Sequence, residues 1–97
     1  MSAVTRKGDN NTGHGDYPAV ALNTGSSNVF INNTPCGRKS DTYPSHNKGG
    51  LNPNPHKGQI SSGSSTVFVN GLPIARVNDT VSCGGKVAQG SPNVYAN

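Results

Sequence analysis

Gly63-Ser64-Ser65-Thr66-Val67-Phe68-Val69-Asn70-Gly71-Leu72-Pro73-Ile74-Ala75-Arg76-Val77-Asn78-Asp79-Thr80 sets two short apolar runs on either side of Asn70-Gly71. Asn-Gly is the strongest two-residue hairpin signal, because both positions must take positive φ and these residues do so at least cost. The segment therefore predicts a tight antiparallel hairpin followed by an R-x-x-D turn.

Working outward, the same pattern, GSSxVFxNxxPxxRxxDT, occurs earlier, with Thr24 to Thr42 aligning on Ser62 to Thr80. Pro35, Arg38 and Asp41 match Pro73, Arg76 and Asp79, and Asn32-Asn33 stands at the turn. A third, partial copy, Gly90-Ser91-Pro92-Asn93-Val94-Tyr95, lies near the end of the chain. The charges repeat as well. All three arginines precede an aspartate by three residues, in the pairs Arg6/Asp9, Arg38/Asp41 and Arg76/Asp79. Three units, each running from an R-x-x-D turn to a GS-x-x-V-aromatic strand, imply an approximate threefold arrangement. The R-x-x-D pairs have two compatible readings: a local turn in which Asp accepts backbone N–H groups while Arg is solvated, or an Arg stem buried under a neighbouring strand.

No segment has a helical period, and Gly and Pro interrupt the chain repeatedly, so the expected class is all-β: short antiparallel strands and hairpins with long loops. With 97 residues the chain suits one domain, 1–97, yet only 30% of residues are hydrophobic and there is no Trp. So small a core calls for a further constraint. The low hydrophobicity is half of a disorder signature, but the net charge of +4 is modest and the repeats are orderly. The longest irregular stretch, Thr42 to Gly58, is an unusually long loop for such a domain and needs an anchor.

That anchor follows from counting along the repeats. His14 is eight residues after Arg6, His46 eight after Arg38, and Cys83 seven after Arg76, while His56 lies inside the long loop. A lone His in a Gly-rich loop is usually just solvated, and a lone Cys usually fills a core. Here, though, all three histidines and one of two cysteines form a set, three of them at equivalent points of the repeat. Three imidazoles and one thiolate make a complete tetrahedral donor set for Zn²⁺, with no position left for substrate, which reads as a structural site. Iron is the alternative ion. Cys36 takes the place of Ile74 and reads as a small buried apolar side chain; a Cys36–Cys83 disulfide is the open alternative.

Other classes fit less well. A pI near 9.4 raises nucleic acid, but Lys7, Lys39, Lys48, Lys57 and Lys86 are scattered singly without an aromatic platform. A zinc hydrolase needs an open coordination position and a general base, and the chain has no Glu. No apolar stretch has membrane-helix length, and Met1 to Asp9 lacks the apolar segment of a secretory signal. The Asn-x-Ser/Thr matches at Asn10, Asn32 and Asn78 read as by-products of an Asn-rich sequence.

Pro73-Ile74-Ala75-Arg76, with the Asn70-Gly71 turn before it and Asp79 after it, resembles the Pro-Ala-Ala-Arg signature of PAAR-repeat proteins. Pro35-Cys36-Gly37-Arg38 is a degenerate copy that replaces both alanines, and the first unit retains only Arg6 and Asp9. The resemblance implies a sharp cone with a zinc ion near its point, a role that His14, His46, His56 and Cys83 match position by position. It further implies that the broad base docks, as a single copy, on the tip of a homotrimeric β-helical spike of a contractile phage tail or a type VI secretion system. Such a protein is assembled in the bacterial cytoplasm, rides on a virion tail baseplate or is secreted with the spike, and contacts the target membrane transiently. It is not an enzyme and takes no nucleic acid or small-molecule substrate. Val29/Phe30, Val67/Phe68 and Val94/Tyr95 are the candidate docking residues, or else core residues. A small zinc-binding nucleic-acid or protein-interaction module is the rival function.

Overall fold

The computed structural model describes residues 1–97 and contains eight short strands and no helix, hence none long and apolar enough to cross a membrane. The strands are β1 (Ser2–Ala3), β2 (Phe30–Ile31), β3 (Thr34–Pro35), β4 (Thr42–His46), β5 (His56–Gln59), β6 (Phe68–Val69), β7 (Leu72–Pro73) and β8 (Tyr95–Ala96). They pair antiparallel and only in twos: β2 with β3, β6 with β7, β4 with β5, and β1 with β8. The two hairpin turns are as the sequence predicts, with positive φ at Asn32 and Asn33 and at Asn70 and Gly71.

The third repeat closes through both ends of the chain. Ser2 pairs with Ala96 and Ala3 with Tyr95. Val4 donates its N–H to the Val94 carbonyl just as Cys36 does to Val29 and Ile74 to Val67. Val4-Thr5-Arg6 thus stands where Cys36-Gly37-Arg38 and Ile74-Ala75-Arg76 stand. The first unit, of which sequence matching finds only Arg6 and Asp9, is therefore completed in space, its hairpin split between β8 and β1.

The residues just before each Arg meet at the pseudo-threefold axis. Gly37 donates to the Thr5 carbonyl (2.9 Å), Ala75 to Gly37 (3.1 Å) and Thr5 to Ala75 (3.1 Å), a closed triangle of backbone hydrogen bonds. Side chains there must be small. A Cβ on Gly37 would come within 2.7 Å of Thr5 Cγ2, so glycine in the second unit makes room for threonine in the first. On one side of the triangle Val4, Cys36 and Ile74 pack with Val69 and Ala96. On the other, Leu22, Ile60 and Val87 occupy equivalent positions and pack with Tyr43, Ala75 and Val81. Thr5 Oγ1 and the Tyr43 hydroxyl are buried without a partner.

Each R-x-x-D segment is both a turn and an ion pair. The Asp N–H donates to the Arg carbonyl, and the third residue (Gly8, Ser40 or Asn78) takes positive φ. Asp Oδ2 accepts the Arg backbone N–H, at 3.0, 2.7 and 2.6 Å in the three units, and also the Arg Nε–H, while Oδ1 accepts from Nη2. The arginine is therefore held rather than solvated. Two of the three reach into the following unit, Arg6 donating to Asn32 Oδ1 and Arg38 to Asn70 Oδ1.

The molecule is elongated, 43 × 24 × 22 Å. The three hairpins and the Val4/Cys36/Ile74 cluster form one end, the base. From the other cluster the chain extends as three unequal segments between Asp9 and Leu22, Asp41 and Ile60, and Asp79 and Val87, which form the apex. The Thr42 to Gly58 stretch expected to be irregular is partly ordered: β4 and β5 pair across it, with a register shift between Tyr43 and His46, leaving 47–55 as the connection. Its Pro and His residues carry no alternation from which the pairing could be read.

Candidate metal centre

Each apical segment delivers its donor by different local means. His14 begins a two-residue turn, exchanging both backbone hydrogen bonds with Tyr17. His46 ends β4 and His56 begins β5, and the two face each other in register. Cys83 sits in a tight loop where Gly84 donates to Val81 and Val81 to Gly85.

The four ligand atoms lie within 4.8 Å of one another. The three Nε2 atoms converge, with His14 to His46 at 3.2 Å, His14 to His56 at 3.0 Å and His46 to His56 at 2.7 Å, and Cys83 Sγ is 3.8 Å from His46 Nε2. Nitrogens about 2.0–2.1 Å from one tetrahedral ion would be about 3.3 Å apart, so the cluster has the dimensions and the donor chemistry of a metal site. The four residues are positioned to bind a metal ion.

Neighbouring groups prepare these donors. His46 donates Nδ1–H to the Pro18 carbonyl at 2.9 Å, which fixes the tautomer with the Nε2 lone pair facing the cluster. A Cβ on Gly58 would lie 2.6 Å from Cys83 Sγ and 2.8 Å from Val81 Cγ1, so only glycine lets β5 pass beside the thiol. Desolvation, then the His46 and His14 rings, lowers the His56 pKa, favouring the neutral imidazole that ligation requires. Burial raises the Cys83 thiol, so a cation must displace its proton to gain the thiolate.

The other residues singled out from sequence fall into place differently. Cys36 is fully buried in the base cluster, a free thiol pushed up to about 11 by burial first and by Asp41 second. Cys83 is also free, among the apical donors, and the disulfide alternative is not formed. In the V-aromatic pairs the two side chains part: Val29, Val67 and Val94 pack against the base cluster, whereas Phe30, Phe68 and Tyr95 are 53%, 56% and 52% exposed at equivalent points. Pro35, Pro73 and Ala75 serve the hairpins and the axis.

Sequence reasoning missed Tyr17 and Pro18. Neither belongs to the repeat, and the only signal near them is the turn-forming Gly15-Asp16. Gly13 holds their segment close, since a Cβ there would come within 2.5 Å of the Tyr17 carbonyl oxygen. Compared with known families, the chain matches a family model described as PAAR motif over residues 7–89. No curated protein matches it.

Proposed function

The chain belongs to the PAAR-motif family, and on that premise we propose that residues 1–97 act as one domain that caps and sharpens the trimeric β-helical spike of a contractile injection machine. The observation that carries the reading is the geometry of the base. Three equivalent hairpins surround a pseudo-threefold axis, and each presents one half-exposed aromatic ring, Phe30, Phe68 or Tyr95, while its neighbouring valine stays inside. A monomer built this way can offer similar edges and rings to three identical chains, which favours one copy per trimeric spike.

The apex bears the second half of the proposal. A zinc ion held by His14, His46, His56 and Cys83 would stiffen the narrow end, where the chain has no room for a core. Four protein donors leave no open coordination position, so the ion is structural and the protein acts mechanically rather than as an enzyme. Force from a contracting sheath would reach the target envelope through this end. Assembly precedes firing, in the bacterial cytoplasm, on a phage tail baseplate or a type VI spike.

The test is stoichiometry. Purified chain mixed with the tip fragment of a trimeric β-helical spike protein from the same source should give, by native mass spectrometry, one copy per trimer. Phe30→Asp with Phe68→Asp should abolish that species without unfolding the chain. Binding of three copies per trimer, or binding indifferent to both substitutions, contradicts the docking mode.

A further inference from the structure

We infer that Tyr17 is a positioning residue of the apical centre, its ring holding the three imidazoles in their converged arrangement and shielding one face of the donor cluster from water. The inference rests on the metal reading above and adds a residue outside the donor set. The Tyr17 ring lies 4.1 Å from His56, 4.7 Å from His14 and 4.9 Å from His46, centroid to centroid, so a single side chain touches every imidazole. It stacks on His14 at an interplanar angle of 27°. The His14–Tyr17 turn imposes this, because residues directly opposite across an antiparallel pair carry their side chains on the same face.

Two further contacts brace the arrangement, one on the ring and one beside it. The Tyr17 hydroxyl donates to the Asn54 carbonyl at 2.8 Å, fastening the 47–55 connection over the cluster. The next residue, Pro18, gives the carbonyl that orients His46. One dipeptide therefore braces donors from two remote segments: the side chain through stacking, the main chain through the hydrogen bond. Partners that orient metal ligands typically govern affinity roughly ten- to hundredfold, and aromatic stacking adds geometric preference.

The experiment loads the full-length chain with Co²⁺ and compares the parent with Tyr17→Leu and Tyr17→Phe. Visible absorption reports coordination, and the rate of transfer to a coloured chelator reports exposure. The parent should show the intense bands of tetrahedral cobalt. Tyr17→Leu should transfer cobalt roughly ten- to hundredfold faster, with weakened bands as water reaches the ion, and amide exchange at β2–β3 and β6–β7 should be unchanged. Tyr17→Phe, which keeps the ring but loses the hydrogen bond to Asn54, should keep the parent's spectrum and transfer cobalt more slowly than Tyr17→Leu. A Leu variant indistinguishable from a cobalt-loaded parent, or a Phe variant as fast as Leu, overturns the inference while leaving the metal site standing. A parent that takes up no cobalt overturns the metal reading and this inference together.

Discussion

Base and apex are made from the same three units and are held by opposite means. At the base the units are near copies: three hairpins, three R-x-x-D turns, a closed triangle of main-chain hydrogen bonds and a cluster in which Val4, Cys36 and Ile74 are equivalent. At the apex the copies diverge in length, and one of them brings an additional donor, His56, through the β4–β5 pair. Repetition suits the base because the inward apolar side chains of the units, Val4, Cys36 and Ile74, bury one another. It cannot serve the apex, where the cross-section is too small to bury much, and four polar donors converge there instead. The lesson is that a threefold framework can end in an asymmetric point if a convergent cluster of side-chain donors takes over where packing stops.

The largest expected effect separates the two regions directly. Chelation of the metal, or His56→Ala with Cys83→Ala, should remove much of the stability, several kcal/mol, since structural zinc sites in small peptides contribute about 10–16 kcal/mol. Hydrogen exchange should locate the loss: amides of β4 and β5 lose protection first while the base pairs keep theirs. Equal loss at both ends would abolish the distinction. Acid should act in the same direction. Desolvation and the His46 and His14 rings lower the His56 pKa from the ordinary histidine value near 6.5, so the unfolded state binds more protons than the folded one, and the stability this group contributes is lost as pH falls below that value. Urea unfolding of the metal-free chain between about pH 8 and 5 checks the sign.

The next effect belongs to the base. Asp41 is 5% exposed and accepts three hydrogen bonds from Arg38. Asp41→Ala would leave that guanidinium and a backbone N–H without their acceptor, at a cost of about 2–4 kcal/mol, below the top of the range for fully buried pairs because Arg38 keeps some solvent contact. Urea unfolding measures it, and the metal content should stay unchanged.

A finer test sits on the axis. Gly37→Ala should destabilise by about 1–3 kcal/mol through overpacking against Thr5 and Leu22, and Thr5→Ala should rescue it in part, because it removes the nearest clashing methyl and a buried unpartnered hydroxyl but leaves Leu22 in place. A double-mutant cycle with no coupling would mean that the three units do not share volume at the triangle. The smallest effect is Ser40→Gly, expected to stabilise by a few tenths of a kcal/mol up to about 1 kcal/mol. It relieves a positive φ that the equivalent Gly8 adopts freely.

What could be read from sequence divides along the same line. The hairpins at Asn32-Asn33 and Asn70-Gly71 and the three R-x-x-D turns were legible because they are local and repeated. The donor set was legible because His14, His46 and Cys83 keep their distance from each Arg, and His56 because no other histidine remained. The split third hairpin was not, since Ala3 stands where the other units have Pro and its two strands are at opposite ends of the chain. Nor was the axial triangle, whose Thr5, Gly37 and Ala75 share nothing but small size. The Tyr17 brace and the β4–β5 register depend on segments remote in sequence that no periodicity marks.

The clamp at the apex is tested most directly by elemental analysis of the purified chain by plasma mass spectrometry, alongside the His56→Ala, Cys83→Ala double variant. One zinc per chain in the parent, and none in the variant together with a markedly lower melting temperature, is the expected result. A metal-free parent as stable as the zinc-supplemented chain would contradict the clamp and leave the apex to be explained by packing alone.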